Sequence, residues 1–182
     1  GALSELFGIF LLNLLLTIVT LGVFRFWAIT RMRRYIWSHM RFEGSRFVYT
    51  GRGKELFFGF LIAMGILIAI YACFIGFIVL LGDNLPIASG FAGILLYAVF
   101  FVLIGAAYFS AQRYRLSRTE WQGVRGGMVG SAWRYGFVFA GYFLLQSITL
   151  GQATPWAQVG LAERRIGASR LGSGSFRFKG KP

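Results

Sequence analysis

Apolar residues come in long runs along this chain. Leu56–Leu81, rich in Ile, Leu and Phe, reads as one spanning helix and breaks at "GDNLP" (82–86), where Asp83, Asn84 and Pro86 supply turn chemistry. Ile87–Tyr108 returns as a second span and meets Arg113, Arg115 and Arg118. Two shorter runs, Leu6–Leu21 and Tyr135–Leu150, both end in "TLG", at 20–22 and 149–151. A bilayer core takes about 20 mostly apolar residues per helix, so the runs are membrane-sized.

Between the runs the pattern changes. In "FRFWAITRMRRYIWSHMRF" (24–42), rings alternate with arginines. On a helical wheel Ile29, Met32, Ile36 and Met40 share one face, while Thr30, Arg31, Arg33, Arg34 and Ser38 take the other; Phe26, Trp27 and Trp37 lie toward the polar side. That distribution predicts an amphipathic helix over 23–40 lying in a membrane interface, where Trp sits at headgroup depth and Arg keeps its guanidinium wet. The segment that follows, "RFEGSRFVYTG" (41–51), alternates and predicts a small β-hairpin or extended stretch.

The shared "TLG" points to internal repetition. A gapless shift of 129 positions aligns Thr20-Leu21-Gly22 with Thr149-Leu150-Gly151, Trp27-Ala28 with Trp156-Ala157, and Arg41 with Arg170. A shift of 79 aligns Arg34-Tyr35 with Arg113-Tyr114, Ser38 with Ser117, and Gly51 with Gly130. The modules so defined are 1–50, 51–129 and 130–179, with the middle one longer by about one span. The expected fold is an all-α polytopic membrane protein of about four membrane helices, with interfacial amphipathic helices and short hairpin-like segments, forming a single membrane domain.

Composition supports that class. The 182 residues are 57% apolar and 14% charged, with net charge +13, and 16 of the 19 basic residues are arginine. The charge alone would suit a soluble nucleic-acid binder, but the positive mean hydropathy of +0.65 excludes one. Between Glu55 and Gln112 no Lys or Arg occurs, and 135–162 holds no charged residue at all. The positive-inside rule puts 25–54 and 113–134 on the cytoplasmic side and 82–86 outside. Four full crossings would then leave the basic tail from Arg164 to Lys181 outside. Short re-entrant helices turning at "TLG" would remove that conflict, although Arg25 beside the break makes a deep return costly.

The blocks "LLNLLLTIVTLGVFRFWAITRMRRYIWSHMRFEGSRFVYTGRGKELFFGF" (11–60), "RTEWQGVRGGMVGSAWRYG" (118–136) and "TLGQATPWAQVGLAERR" (149–165) resemble the YjgN-like family of bacterial inner-membrane proteins, which has no assigned function. The resemblance implies a multi-pass location in the bacterial inner membrane. It carries over no catalytic residues, and because family members are longer it implies that this chain is a fragment.

Candidate chemistry is sparse. His39 and Cys73 are the only histidine and cysteine, so a His/Cys metal cage within one chain is excluded. The six acidic residues are scattered, with no pair at helical spacing for acid–base work. The glycine-rich "GVRGGMVG" (123–130) lacks the Gly-Lys-Ser/Thr ending of a phosphate loop. The expectation is a non-enzyme without cofactor or metal, a scaffold or accessory subunit of a membrane complex; a transporter or channel-like protein with repeat-related halves is the alternative. Anionic lipid headgroups and other membrane subunits are the expected partners, with no nucleic acid. Arg31, Arg33, Arg34, Trp27, Trp37, Arg113, Arg115 and Trp156 are the candidate headgroup or partner contacts. Glu5 and Glu55, at equivalent helix starts, are expected to sit favourably on the helix dipole and to pair with an arginine of the interfacial helix.

Overall fold

The computed structural model describes residues 2–81 and 86–181, so the expected break at 82–86 lies, except for Pro86, outside the described residues. The chain is mostly helical and folds as two compact units, residues 1–70 with 118–124 and residues 71–117 with 125–182. Helix, helix, strand, strand occurs three times in succession along it.

In the first unit, α1 (Ala2–Val19) is followed by α2 (Arg25–His39), β1 (Arg41–Phe42) and β2 (Ser45–Tyr49). α1 stops at "TLG" because the backbone closes a Schellman turn. The Gly22 amide donates to Thr17 O at 2.7 Å and the Leu21 amide to Ile18 O at 3.1 Å, with Leu21 and Gly22 both left-handed. The Thr20 hydroxyl donates to Leu16 O and accepts the Phe24 amide at 2.9 Å, so one side chain ends one helix and starts the next. The chain then doubles back. Phe10, Asn13, Leu14 and Thr17 of α1 face Met32, Ile29, Ala28 and Arg25 of α2, and Tyr35 near the end of α2 reaches Glu5 near the start of α1. The two helices form an antiparallel hairpin.

Glu43 and Gly44 are both left-handed, as a type I′ turn between β1 and β2 requires. β2 also pairs antiparallel with β3 (Thr119–Trp121), matching Phe47 with Trp121 and Tyr49 with Thr119. α3 (Gly53–Leu81) leaves this small sheet with Gly53 pressed against Trp27, and Phe57 packs on Phe26 and Trp27.

In the second unit, α4 (Pro86–Ser117) packs along α5 (Ala132–Ile148). α4 contains the expected span Ile87–Tyr108 and continues past it through Arg113 and Arg115, because 109–117 contain no breaker and only the hydropathy falls there. Gly105 and Gly136 bring the two backbones together. A Cβ on Gly105 would lie 2.9 Å from the Gly136 Cα, and one on Gly136 would strike the Val102 carbonyl. Phe101 stacks on Phe143 at 3.6 Å, and Phe109, Met128 and Tyr135 form the buried centre. β4 (Val124–Met128) pairs antiparallel with β5 (Ser169–Leu171), which pairs with β6 (Gly174–Ser175).

α5 and α6 (Thr154–Ala168) form a second hairpin, because Tyr135 packs near Leu161 and Ala168 while Tyr142 covers Gly160. Its tip repeats the first: Gly151 donates to Gln146 O at 2.7 Å, Leu150 has φ 49°, and the Thr149 hydroxyl accepts the Ala153 amide at 3.2 Å. Thr149→Val keeps the shape and removes that cap. It is expected to cost about 1 kcal/mol, read as a lower thermal midpoint in detergent.

Candidate membrane-interface site

Most of the length of the two long helices meets its surroundings without protein cover. None of the apolar window of α3 is buried and only 17% of that of α4, and both are long enough to cross a bilayer. The hairpin tips are just as bare, with Leu21 95% and Leu150 91% exposed. Most of the basic residues lie in sequence near the strands, at the starts of α3 and α5 and the ends of α2, α4 and α6, with Arg25 beside the first tip as the exception.

The structure gives several of the candidate contacts internal work. Arg34 donates to Gly51 O at 3.4 Å, and Arg113 donates to Gly130 O. These are the positions that the 79-residue shift equates, so two arginines expected to face headgroups each fix a strand-to-helix connection. Ser38 and Ser117 repeat the correspondence by donating to Tyr35 O and Tyr114 O. Arg33 donates to the Tyr49 hydroxyl at 3.3 Å, Arg113 also lies over the Phe109 ring, and Arg115 is engaged within the protein. Arg31 is exposed and makes no such contact among the described residues.

The tryptophans divide similarly. Trp156 is 58% exposed. Trp27 is half-buried against Gly53 and Phe57, and Trp37 packs on Tyr49 and donates to the Thr119 hydroxyl at 3.1 Å. Thr30, placed on the polar side by the wheel, is buried and donates to Trp27 O. The wheel separates faces by polarity, yet the face of α2 bearing Thr30, Trp27 and Trp37 is covered by β2 and α3. The methionine and isoleucine face is partly left over: Ile29 and Met32 meet α1, while Ile36 and Met40 stay exposed.

Glu55 bonds Arg118 at 3.0 Å. Arg118 precedes β3 and is not part of the interfacial helix, so the sequence separation of 63 hid the pair. Glu5 accepts a bond from the Tyr35 hydroxyl at 3.5 Å instead of meeting an arginine. Partial burial, then Glu5, pushes the Tyr35 phenol above its ordinary value, so it stays a neutral donor through physiological pH. About a third exposed in both partners, the Glu55–Arg118 pair is worth about 1 kcal/mol or less. Arg118→Gln is accordingly expected to lower the thermal midpoint only slightly, and less still in high salt.

Sequence reasoning also missed Arg165, which lies over the Tyr108 ring at 4.9 Å and donates to its hydroxyl at 2.8 Å, tying α6 to α4. His39 is held locally by Tyr35 O and the Tyr35 ring. Among the described residues no three His, Cys, Asp or Glu side chains gather as metal ligands would. The arrangement offers apolar belts, cationic ends and few polar groups between them, which suits contact with lipid.

The profile of one protein family, described as bacterial protein of unknown function (DUF898), matches residues 1–182. The chain belongs to this family. Among curated relatives it is similar to the inner membrane protein YjgN of Salmonella typhimurium, 34% identical over 143 residues that make up 75% of this chain and 33% of that one. It is also similar to the proteins of that name from Escherichia coli O157:H7 and K12, 39% identical over 62 and 57 residues, or 34% and 31% of this chain. Those stretches are 16% and 14% of the two relatives, so the chain spans a third or less of the curated relatives it matches. No solved structure matches it.

Proposed function

We propose that this DUF898 chain is a non-catalytic integral part of a bacterial inner-membrane protein, serving as scaffold or accessory subunit and presenting a basic surface to anionic headgroups. The observation that carries the reading is the bare apolar length of α3, with no part of its spanning window buried, next to arginine-rich helix ends. The names of the relatives support the location. Of the expected contacts, Arg31 and Trp156 are the ones left exposed and without internal work, with the other arginines setting the field around them.

The same reading revises the topology. α3 and α4 cross the bilayer, while α1–α2 and α5–α6 enter and leave by one face, the cytoplasmic one. Antiparallel packing supports this for each hairpin, since Glu5 meets Tyr35 and Tyr135 lies near Ala168. An exposed arginine four residues beyond the first tip, Arg25 after Leu21, keeps that hairpin oblique and shallow. Two crossings leave the basic tail on the side that the positive-inside rule favours, where four would not.

A transporter-like reading keeps one point in its favour. Asn13, 6% exposed within the first hairpin, has both amide atoms buried and without a hydrogen-bond partner among the described residues, a group that calls for something to bind. Extraction in mild detergent separates the two: copurification with a stable complex is expected, and a lone monomer enclosing a water-filled cavity would overturn the scaffold reading. Changing Arg31 and Trp156 together, Arg31→Gln with Trp156→Ala, is expected to weaken cofloatation of the purified chain with anionic vesicles several-fold, and equal recovery would remove the headgroup assignment.

A further inference from the structure

In the second unit a cleft of about 480 Å³ opens at the start of α5, lined by Phe109, Gly130, Ser131, Arg134, Phe137 and Arg164 among others. Arg134 and Arg164 stand 30 residues apart in sequence, and the α5–α6 hairpin brings them to one cavity. Neither guanidinium has a hydrogen bond or ion pair among the described residues. Arg113, over the Phe109 ring and donating to Gly130 O, adds a third cation behind the same wall. Glu163 does not line the cleft, and it is the one acidic residue of this unit among those described, so nothing there neutralises the arginines. Two free guanidiniums facing one space favour a tetrahedral oxyanion, which planar forks can bind through paired N–H groups.

The walls are graded along α5. Ser131 caps the helix by accepting the Arg134 amide, and with Arg134 it occupies the first turn. Phe137 and Val138 line the cleft about one turn further toward the apolar tip. A free phosphate would use only the first part of this space, whereas an amphiphile uses both. We propose that this cleft is a discrete binding site for the phosphate of an anionic glycerophospholipid, held by Arg134 and Arg164, with an acyl chain running over Phe137 and Val138. The proposal rests on the headgroup reading above and deepens it from a general surface to one site.

The test is native mass spectrometry of the purified 182-residue chain in a neutral detergent, titrated separately with short-chain phosphatidylglycerol, phosphatidylcholine of the same length and inorganic phosphate. One phosphatidylglycerol per chain is expected to stay bound, with phosphatidylcholine at least tenfold weaker. The Arg134→Gln/Arg164→Gln pair should weaken phosphatidylglycerol at least tenfold at an unchanged thermal midpoint, and Arg134→Lys/Arg164→Lys should recover part of it. Unaltered retention by the glutamine pair overturns the site, and displacement of lipid by millimolar inorganic phosphate overturns its assignment to lipid. Arg31→Gln with Trp156→Ala should leave this single-lipid binding intact while vesicle flotation falls, so failure of the cleft and failure of the general surface give different results.

Discussion

Gly136→Leu is expected to separate α4 from α5 and to cost about 3 kcal/mol or more, because the added side chain meets backbone that cannot move aside. On Gly136 even a Cβ would strike the Val102 carbonyl, and Ala106 and Val102 close the remaining space. Ala140, one turn further along α5, is 8% exposed, so the first part of this face of α5 is buried. Close approach of this kind lets dispersion hold helices together where lipid removes the hydrophobic drive between them. Gly141 supplies the internal control, since nothing lies within 4 Å of a Cβ placed there. Gly141→Leu should leave the thermal midpoint in detergent within a degree or two, whereas Gly136→Leu should lower it strongly or prevent recovery of folded protein.

In the first unit the corresponding weak point is Tyr49, 3% exposed at the end of β2. Its ring packs on Trp37 at 5.8 Å, its hydroxyl accepts a bond from Arg33, and it lies over Gly51. Tyr49→Ala removes a ring from a site that two rigid elements, α2 and β2, cannot collapse to fill. The expected loss is about 3–5 kcal/mol. Tyr49→Phe keeps the ring and sacrifices only the bond from the half-buried Arg33 guanidinium, so about 1.5 kcal/mol is expected. Thermal unfolding of the two variants side by side measures the difference; equal effects would mean that the hydroxyl, and not the packing, holds this end of the unit.

Hydropathy carried the long elements. Leu56–Leu81 was legible because α3 has no cover to impose a mixed pattern, and α2 follows the expected amphipathic segment to within two residues at its start and one at its end. The "TLG" pair was legible as a break, and its geometry explains why the same three residues serve twice. Threonine joins both helices, leucine accepts a left-handed backbone where it needs no partner, and glycine completes the turn. The direction of the following helix was not legible, because hydropathy is blind to whether a chain turns back on itself. The roles of the arginines were hidden for a related reason. Arg34 and Arg113 look like surface charge until the fold brings a carbonyl oxygen to each, and Arg134 and Arg164 face one cleft only after α5 and α6 pair.

The account turns on the two hairpins returning to the face they left. Single cysteines introduced into a Cys73→Ser background, at Ser4, Ser45, Ser173 and Asn84, can be probed in spheroplasts with a membrane-impermeant maleimide. Ser4→Cys, Ser45→Cys and Ser173→Cys are expected to stay unlabelled until the membrane is permeabilised, while Asn84→Cys labels at once. Labelling of Ser4→Cys or Ser173→Cys in intact spheroplasts would mean that α1 or α5 crosses the bilayer, and would contradict the account.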